Sequence, residues 1–120
     1  MADRDPTYHA GCLFCRIVAG EIPSDGVYQD DEVIVFRDIN PQAPTHVLAV
    51  PRRHIPSAAD LTDADSELLA RLFGALRQVA EQGGLSSYRI VTNVGPESGQ
   101  SVLHLHFHLL AGRRMTWPPG

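Results

Sequence analysis

Three histidines alternate with apolar residues near the end of the chain. The alternating residues are His104, Leu105, His106, Phe107, His108 and Leu109. Side chains on a strand point to opposite faces in turn, so this spacing predicts three imidazoles on one exposed face and an apolar face buried beneath it. Neighbouring rings would lie roughly 6.5–7 Å apart. Because histidine changes charge near pH 7, such a row predicts nucleophilic attack, proton transfer or metal binding.

A glycine-rich loop leads directly into these histidines. It runs from Gly95 to Ser101 and includes Gly99 and Gln100. Glycine lets the backbone approach a ligand closely, so that successive N–H groups converge on an anion. The Ser101 hydroxyl and the Gln100 amide add side-chain donors, and Asn93 lies just upstream. The position of the loop beside the histidines predicts a phosphate site.

The only two cysteines, Cys12 and Cys15, form a Cys-x-x-Cys motif. One such motif supplies half of a tetrahedral zinc site, so two further ligands would have to come from elsewhere in the chain. A redox pair is an alternative, but it is expected in a thioredoxin-like strand–helix unit, which this sequence does not show. A pair of simple buried thiols is the other alternative.

The elements that would position these residues are strands and two helices. Strands are predicted at 27–28, 33–36, 46–50, 88–92 and 104–110, with the first two forming a hairpin. A short helix is predicted at 12–19 and a long amphipathic helix at 65–82, with an N-cap at Thr62 and a stop at Gly83-Gly84. Because strands and helices do not alternate strictly, we expect an α+β fold with an antiparallel sheet of about five strands.

Composition limits the class of protein. A chain of 120 residues with 43% hydrophobic and 20% charged residues is an ordinary single globular domain. Its net charge of −4 argues against a general nucleic-acid or anionic-membrane partner. No apolar run approaches the roughly 20 residues of a membrane span, and no signal-peptide pattern opens the chain. With only two cysteines, the sequence predicts a cytoplasmic protein, with residues 1–10 as a loose tail.

The motif Gly99-Gln100-Ser101-Val102 followed by His-x-His-x-His-x-x resembles the histidine triad (HIT) family of nucleotide hydrolases and transferases. Segments 38–46 and 50–55 resemble the middle of that family. The ending 112–120, with its Trp-Pro-Pro-Gly, is similar to the Hint branch in particular. The resemblance implies a single HIT domain over 1–120, a two-fold homodimer, and a phosphoramidase that cleaves the P–N bond of purine nucleoside 5′-phosphoramidates and releases AMP or GMP.

The resemblance also implies roles for four residues. His106 matches the nucleophile, which forms a covalent nucleotidyl-histidine that water then hydrolyses. His108 matches a residue that contacts the phosphate and assists proton transfer to the leaving amine. Ser101 would stabilise charge on the phosphoryl oxygens. His46 matches a histidine that supports the other two, although a buried structural histidine is an equally good interpretation of it.

The nucleoside would occupy a slot formed by residues distant in sequence. Asp38 would accept hydrogen bonds from the ribose hydroxyls. The C-terminal tail 112–120 would reach the dimer interface, where Trp117 would approach the partner's site. The base slot is assigned to Phe14, Ile17, Phe36 and Ile39, and the phosphate side to Asn93, Gly99, Gln100 and Ser101. Phe14, Ile17 and Phe36 could equally be ordinary core residues.

The family resemblance extends to a structural zinc site. Some bacterial-type relatives bind zinc at the positions that correspond to Cys12, Cys15, His54 and His104. Such a site has no open coordination position, and catalysis would need no metal.

Three alternatives to the phosphoramidase function stay open: a dinucleoside polyphosphate hydrolase of the same superfamily, a nucleotide- or partner-binding module with little turnover, and a zinc enzyme that uses the triad itself as ligands.

Overall fold

The computed structural model describes residues 4–120. The main elements are α1 (Leu13–Val18), β1 (Gly26–Gln29), β2 (Val33–Arg37), β3 (Thr45–Pro51), α2 (Ser66–Gln82), β4 (Arg89–Val91) and β5 (Phe107–Ala111). Single turns of 3₁₀ helix occur at Ala58–Asp60, Asp63–Asp65 and Pro96–Ser98. Every predicted strand and helix is present, although some of the bounds differ.

The five strands form one antiparallel sheet in the order β1-β2-β3-β5-β4. β1 and β2 make the predicted hairpin, and β3 lies at the centre, where Leu48 pairs with His108 of β5. The predicted α+β fold with a five-stranded antiparallel sheet and one long helix is therefore confirmed. The homodimer stays a prediction.

The sheet separates two apolar clusters. On one face, Val35, Val47 and Ala49 pack with Leu72 and Leu76 of α2. The opposite face carries the second cluster, which consists of Cys12, Phe14, Cys15, Ile34, Phe36, Leu48 and Val50. Because alternate strand residues point to opposite faces, the long helix covers one side and α1 covers part of the other. The histidines lie on the α1 side.

The long helix α2 forms much as its pattern predicts. Thr62 and Asp65 form a capping box around the 3₁₀ turn that leads into the helix, so the predicted cap acts one turn before α2 begins. The buried stripe contains Leu68, Leu72, Ala75, Leu76 and Ala80. Among residues 4–120, no helix is long and apolar enough to cross a membrane.

The histidine strand is shorter than predicted. β5 begins at Phe107, and residues 101–106 are irregular. The Leu105 N–H donates to the Ile55 carbonyl over 2.6 Å, which directs the backbone toward the segment after β3 rather than into the ladder. The prediction that three histidines share one exposed strand face is therefore wrong. His104 is 0% exposed, His106 is 6% exposed, and only His108 lies on β5.

The N-terminal residues contact the domain. The Thr7 hydroxyl accepts a hydrogen bond from the His54 N–H at 2.6 Å. The Tyr8 hydroxyl donates to Glu21 at 2.6 Å, and its ring packs against the second apolar cluster. Thr7 and Tyr8 of the predicted loose tail therefore contact the rest of the domain, and residues 1–3 of that tail lie outside the described part of the chain.

Gly112, directly after β5, occupies a position that only glycine fits. Its φ is +95°, and a Cβ there would lie 2.9 Å from the Cβ of Pro44. We expect Gly112→Ala to lower the free energy of unfolding by about 1–3 kcal/mol because it adds backbone strain and a clash. Urea unfolding measures this loss. Gly26→Ala, where a Cβ meets nothing within 4 Å, is the matched control and should change little.

Candidate functional site

The imidazole of His106 is held in one tautomer. Its Nδ1 lies 2.7 Å from the His104 carbonyl oxygen, so Nδ1–H donates and Nε2 keeps its lone pair. The ring of Phe14 packs edge-on against it, with 5.1 Å between ring centroids. In this tautomer the neutral form of the imidazole has one fixed lone pair, at Nε2, which is the property that a nucleophile needs.

A second chain of hydrogen bonds fixes His108. The Gln42 N–H donates to Nδ1 of His46 at 3.0 Å, so the proton of a neutral His46 is on Nε2. This Nε2 lies 2.9 Å from Nδ1 of His108 and 3.4 Å from a carboxylate oxygen of Asp38. With its Nδ1 acting as acceptor, His108 carries its proton on Nε2. His108 is therefore a hydrogen-bond donor at the site, beside the His106 ring at 5.0 Å between centroids.

Burial keeps this pair uncharged. Burial, together with the neighbouring His106 and His46, lowers the pKa of His108 to about 4. Burial also lowers the pKa of His46, although the Asp38 carboxylate opposes this shift. Both rings are neutral at pH 7. In this geometry His108 is a neutral hydrogen-bond donor, and its assistance to proton transfer toward the leaving amine stays a prediction.

The lowered pKa of His108 predicts sensitivity to acid. An unfolded histidine takes up a proton near pH 6.5, whereas folded His108 does so only near pH 4. Its contribution to stability is therefore complete above about pH 6.5 and is lost as the pH falls toward about 4. We expect His108→Asn to lose less stability than the wild type between about pH 7.5 and about pH 5 in urea unfolding. Equal losses would contradict the buried neutral imidazole.

The residues expected to hold the nucleoside divide into two groups. Phe14 and Phe36 pack edge to face at 5.5 Å in the second apolar cluster, where both are buried and Ile17 is half-buried. Ile39 is 98% exposed. The core interpretation therefore holds for Phe14 and Phe36, while Phe14 also touches His106. Asp38 accepts from the Asn40 N–H at 2.8 Å with one oxygen, and its other oxygen faces His46.

The glycine-rich loop is braced by Gln100. Its side-chain oxygen accepts from the Gly95 N–H at 2.9 Å, and its amide nitrogen donates to the carbonyls of Pro56 at 2.7 Å and Val102 at 3.1 Å. The amide is buried and used within the protein, so it is not the phosphate donor that the sequence suggested. Gly99 has a φ of +96° and lies against the Asn93 side chain. The loop keeps its backbone and Ser101 at the surface.

Two of the expected residues stand apart from the histidines. Trp117 is 83% exposed on the C-terminal tail. The Arg89 guanidinium donates to the neighbouring Thr116 carbonyl at 2.9 Å. Within residues 4–120, no hydrogen bond or ring contact joins Trp117 or Ser101 to His106 or His108. Their predicted roles at the site stay predictions.

A second cluster forms beside the triad from two cysteines and two histidines. The ligand atoms of Cys12, Cys15, His54 and His104 all lie within 4.8 Å of one another. The Cys12 and Cys15 sulfurs are 3.3 and 3.6 Å from Nδ1 of His104, and Cys15 Sγ is 3.2 Å from Nδ1 of His54. The start of α1 therefore meets the segment after β3 and the segment before β5.

The donor set of this cluster fits zinc. Tetrahedral Zn²⁺ takes sulfur at about 2.3 Å and imidazole nitrogen at about 2.0–2.1 Å, which places neighbouring donors roughly 3.3–3.8 Å apart. His104 donates Nε2–H to the Pro51 carbonyl at 2.8 Å, so its Nδ1 is left free for a metal. The Asp38, His46 and His108 group is also compact, but the proton on Nε2 of His46 makes it a hydrogen-bonded chain. The triad itself is not such a group among the described residues.

Two contributors to the site were missed by the sequence analysis. The Gln42 N–H sets the tautomer of His46, and the Pro51 carbonyl holds His104. Both are backbone groups, which carry no residue-type signal. The two prolines near Gln42, Pro41 and Pro44, were the only indication in the sequence that the loop there has a fixed conformation.

A protein-family model and two curated relatives match most of this chain. A protein-family model described as "Scavenger mRNA decapping enzyme C-term binding" matches residues 11–116. An uncharacterised HIT-like protein of Synechococcus elongatus is 46% identical over 109 residues, covering 90% of this chain and 96% of the relative. The chain belongs to the HIT family. A 14 kDa zinc-binding protein of Zea mays is 48% identical over 111 residues, covering 90% of this chain and 87% of the relative.

Solved HIT structures share the fold. A HIT family hydrolase from Legionella pneumophila superimposes with a TM-score of 0.90 at 52% identity, covering 92% of this chain and 100% of that one. A HIT family hydrolase from Clostridium thermocellum gives a TM-score of 0.87 at 41% identity, covering 90% of this chain and 96% of that one. The similarity to hydrolases of the family therefore extends over nearly the whole HIT domain.

Proposed function

We propose that this HIT protein is a nucleotide-binding hydrolase that cleaves the P–N bond of purine nucleoside 5′-phosphoramidates. The observation that carries the proposal is the hydrogen bond from Nδ1–H of His106 to the His104 carbonyl, which leaves Nε2 as a fixed lone pair. Its similarity to HIT family hydrolases supports the reaction class. The Trp-Pro-Pro-Gly ending supports the Hint branch within the family.

The reaction proceeds in two displacements at the α-phosphorus. Nε2 of His106 forms a bond to phosphorus while the P–N bond to the amine breaks, which gives a nucleotidyl-histidine. Water then attacks phosphorus and the bond to Nε2 breaks. The hydroxyl from this water stays on the phosphorus of the AMP or GMP that is released. The departing amine takes a proton from solvent in the first step, and the attacking water returns a proton to solvent in the second. The net reaction therefore consumes one water, and His106 returns to its starting form.

The neighbouring groups serve this transfer in separate ways. His108 donates Nε2–H to a phosphoryl oxygen, and the Gln42–His46 chain keeps it in that tautomer. Ser101 and the N–H groups of the glycine-rich loop add donors on the other side of the phosphate. The Asp38 carboxylate accepts from the ribose hydroxyls. Asn93, Ile17 and Ile39 complete the nucleoside site.

We also propose that the Cys12, Cys15, His54 and His104 cluster holds a structural zinc ion. The compact donor set supports this proposal, as does the zinc-binding relative from Zea mays. With four protein ligands, the ion has no open position for substrate. The hydrolytic chemistry therefore belongs to His106 and requires no metal at phosphorus.

A homodimer completes the proposal. β4 is an edge strand of three residues, and Trp117 is exposed on a tail held to that strand by the Arg89–Thr116 hydrogen bond. An exposed tryptophan beside an open sheet edge is typical of an interface anchor. We propose that the two-fold axis lies at this edge, so that each tail approaches the partner's nucleotide site.

Parallel assays with two substrates test the proposed function. We expect adenosine 5′-phosphoramidate to be hydrolysed with a kcat/KM at least about 100-fold above that for diadenosine tetraphosphate, a difference of roughly 3 kcal/mol in transition-state binding. The reverse preference would instead assign the chain to the dinucleoside polyphosphate hydrolases. Tight AMP binding without turnover of either substrate would make it a binding module.

A further inference from the structure

The segment that carries His106 is held from outside the sheet. Residues 101–106 are irregular, so no ladder fixes them. They are joined instead to the segment after β3, through the Leu105 N–H to the Ile55 carbonyl at 2.6 Å and through the His104 ring to the Pro51 carbonyl at 2.8 Å. The position of His106 therefore depends on these cross-connections in addition to β5, which begins at the next residue, and to the Thr92 hydroxyl, which donates to the His106 carbonyl at 2.8 Å.

The Cys/His cluster also joins these segments. His54 lies in the segment after β3, His104 precedes β5, and Cys12 and Cys15 begin α1. An ion bound to all four side chains would connect the three segments at one point. Cys15 and His104 are 2% and 0% exposed, so solvent cannot take the place of that connection.

Two of the three contacts of the His106 ring described above originate in this cluster, and the third is with His108. His104 belongs to it through Nδ1, and its carbonyl accepts the Nδ1–H of His106 at 2.7 Å. Phe14 lies between the two cysteine ligands, and its ring packs edge-on against His106 at 5.1 Å and against His104 at 5.9 Å. A shift of the cluster would therefore move the hydrogen-bond acceptor and the packing partner of His106 together.

We propose that metal occupancy of the Cys12, Cys15, His54 and His104 cluster sets the tautomer and orientation of His106, which makes His104 a positioning residue for the nucleophile. The inference rests on the proposed role of His106. It goes beyond a structural staple, because the α2 side of the sheet has its own core and does not include the cluster. Loss of the ion would thus impair the nucleophile while the sheet and α2 stay folded.

Nitrogen-15 NMR of the imidazoles tests this directly on the full chain. In the zinc-loaded protein, we expect His106 to show a single Nδ1–H tautomer with a slowly exchanging proton. In the chelator-treated protein, we expect a mixed tautomer and a fast-exchanging proton, together with a kcat at least about tenfold lower. Reloading with zinc should restore both the spectrum and the rate.

Two variants separate positioning from stability. Cys12→Ser weakens the cluster but keeps three ligands, and we expect it to show the mixed His106 tautomer and only partial rescue at high zinc. Leu68→Ala on α2 is the control, since it destabilises the opposite core. It should lower the Tm while leaving the His106 tautomer unchanged. If the metal-free wild-type protein does not fold, the nitrogen-15 spectrum of Cys12→Ser decides between the two outcomes.

The outcomes are distinct for the two proposals. An unchanged His106 tautomer in both metal-free protein and Cys12→Ser would overturn the coupling, whatever the reaction. A tautomer that follows zinc while His106→Ala retains turnover would keep the coupling and refute the proposed nucleophile. A lower Tm with an unchanged tautomer and kcat would reduce the cluster to a staple and also overturn the coupling.

Discussion

Replacement of His106 by alanine is expected to abolish phosphoramidate turnover, with kcat reduced by roughly 10⁴-fold or more. The reason is that the variant lacks the only lone pair fixed at Nε2 by the His104 carbonyl. The residues proposed for ribose and base lie on other elements, so the Kd for AMP should change by only a few-fold. Single-turnover kinetics and calorimetric AMP binding measure the two effects separately.

The same experiment has a trapping counterpart. Acid quench of the wild type is avoided because the P–N adduct is acid-labile, so a denaturing quench at alkaline pH followed by intact mass should show one added nucleotidyl group. Leu103→Ala is the matched control, because this neighbouring side chain is 65% exposed and has no proposed role. Undiminished hydrolysis by His106→Ala, or an adduct on that variant, would refute the nucleophile.

If the proposed zinc site is correct, the wild-type protein binds one zinc ion per chain, and the double variant Cys12→Ser/Cys15→Ser is expected to lose it. The two thiolates supply half of the ligand set, and two imidazoles alone do not hold zinc tightly. A site filled at about a thousandfold excess over Kd stabilises the folded state by about 4 kcal/mol, so the Tm should fall by roughly 15 °C. Elemental analysis and thermal unfolding measure these losses.

A neighbouring residue provides the control for zinc binding. Leu13 lies between the cysteines but is 44% exposed and has no ligand atom. Leu13→Ala should therefore retain one zinc per chain. Zinc retained by the double cysteine variant would place the metal elsewhere, and zinc absent from the wild-type protein would leave Cys12 and Cys15 as the buried thiols of the alternative interpretation.

Most of the fold could be predicted because its patterns are local. The stripe on α2 and the hairpin of β1 and β2 follow from periodicity and turn residues. The start of β5 could not be predicted. His104, Leu105 and His106 have the alternation of a strand, yet the Leu105 N–H bonds to Ile55, 50 positions earlier in the chain, as the numbering shows. A tertiary hydrogen bond of this kind overrides the local pattern.

The residue types of the candidate site could be predicted from the sequence, but the hydrogen bonds that each of these residues makes could not. The spacing brought out His106 and His108, and the resemblance supplied His54 and His104 as partners of the cysteines. The sequence could not show that Nε2–H of His104 bonds to the Pro51 carbonyl, or that the Gln100 amide bonds to backbone groups of the protein. Such assignments depend on which nitrogen meets which carbonyl, and that is decided by loops distant in sequence.

The alternation along β3 has a consequence for how the gene can change. His46, Leu48 and Val50 point to the face of the sheet that carries α1 and His108, whereas Val47 and Ala49 point toward the long helix. Deletion or insertion of one codon within this strand would exchange the two sets, because the side-chain period is two. We therefore expect insertions and deletions to be tolerated in the loops that connect the strands. Within β3, we expect substitutions to be tolerated but not a change in the number of residues.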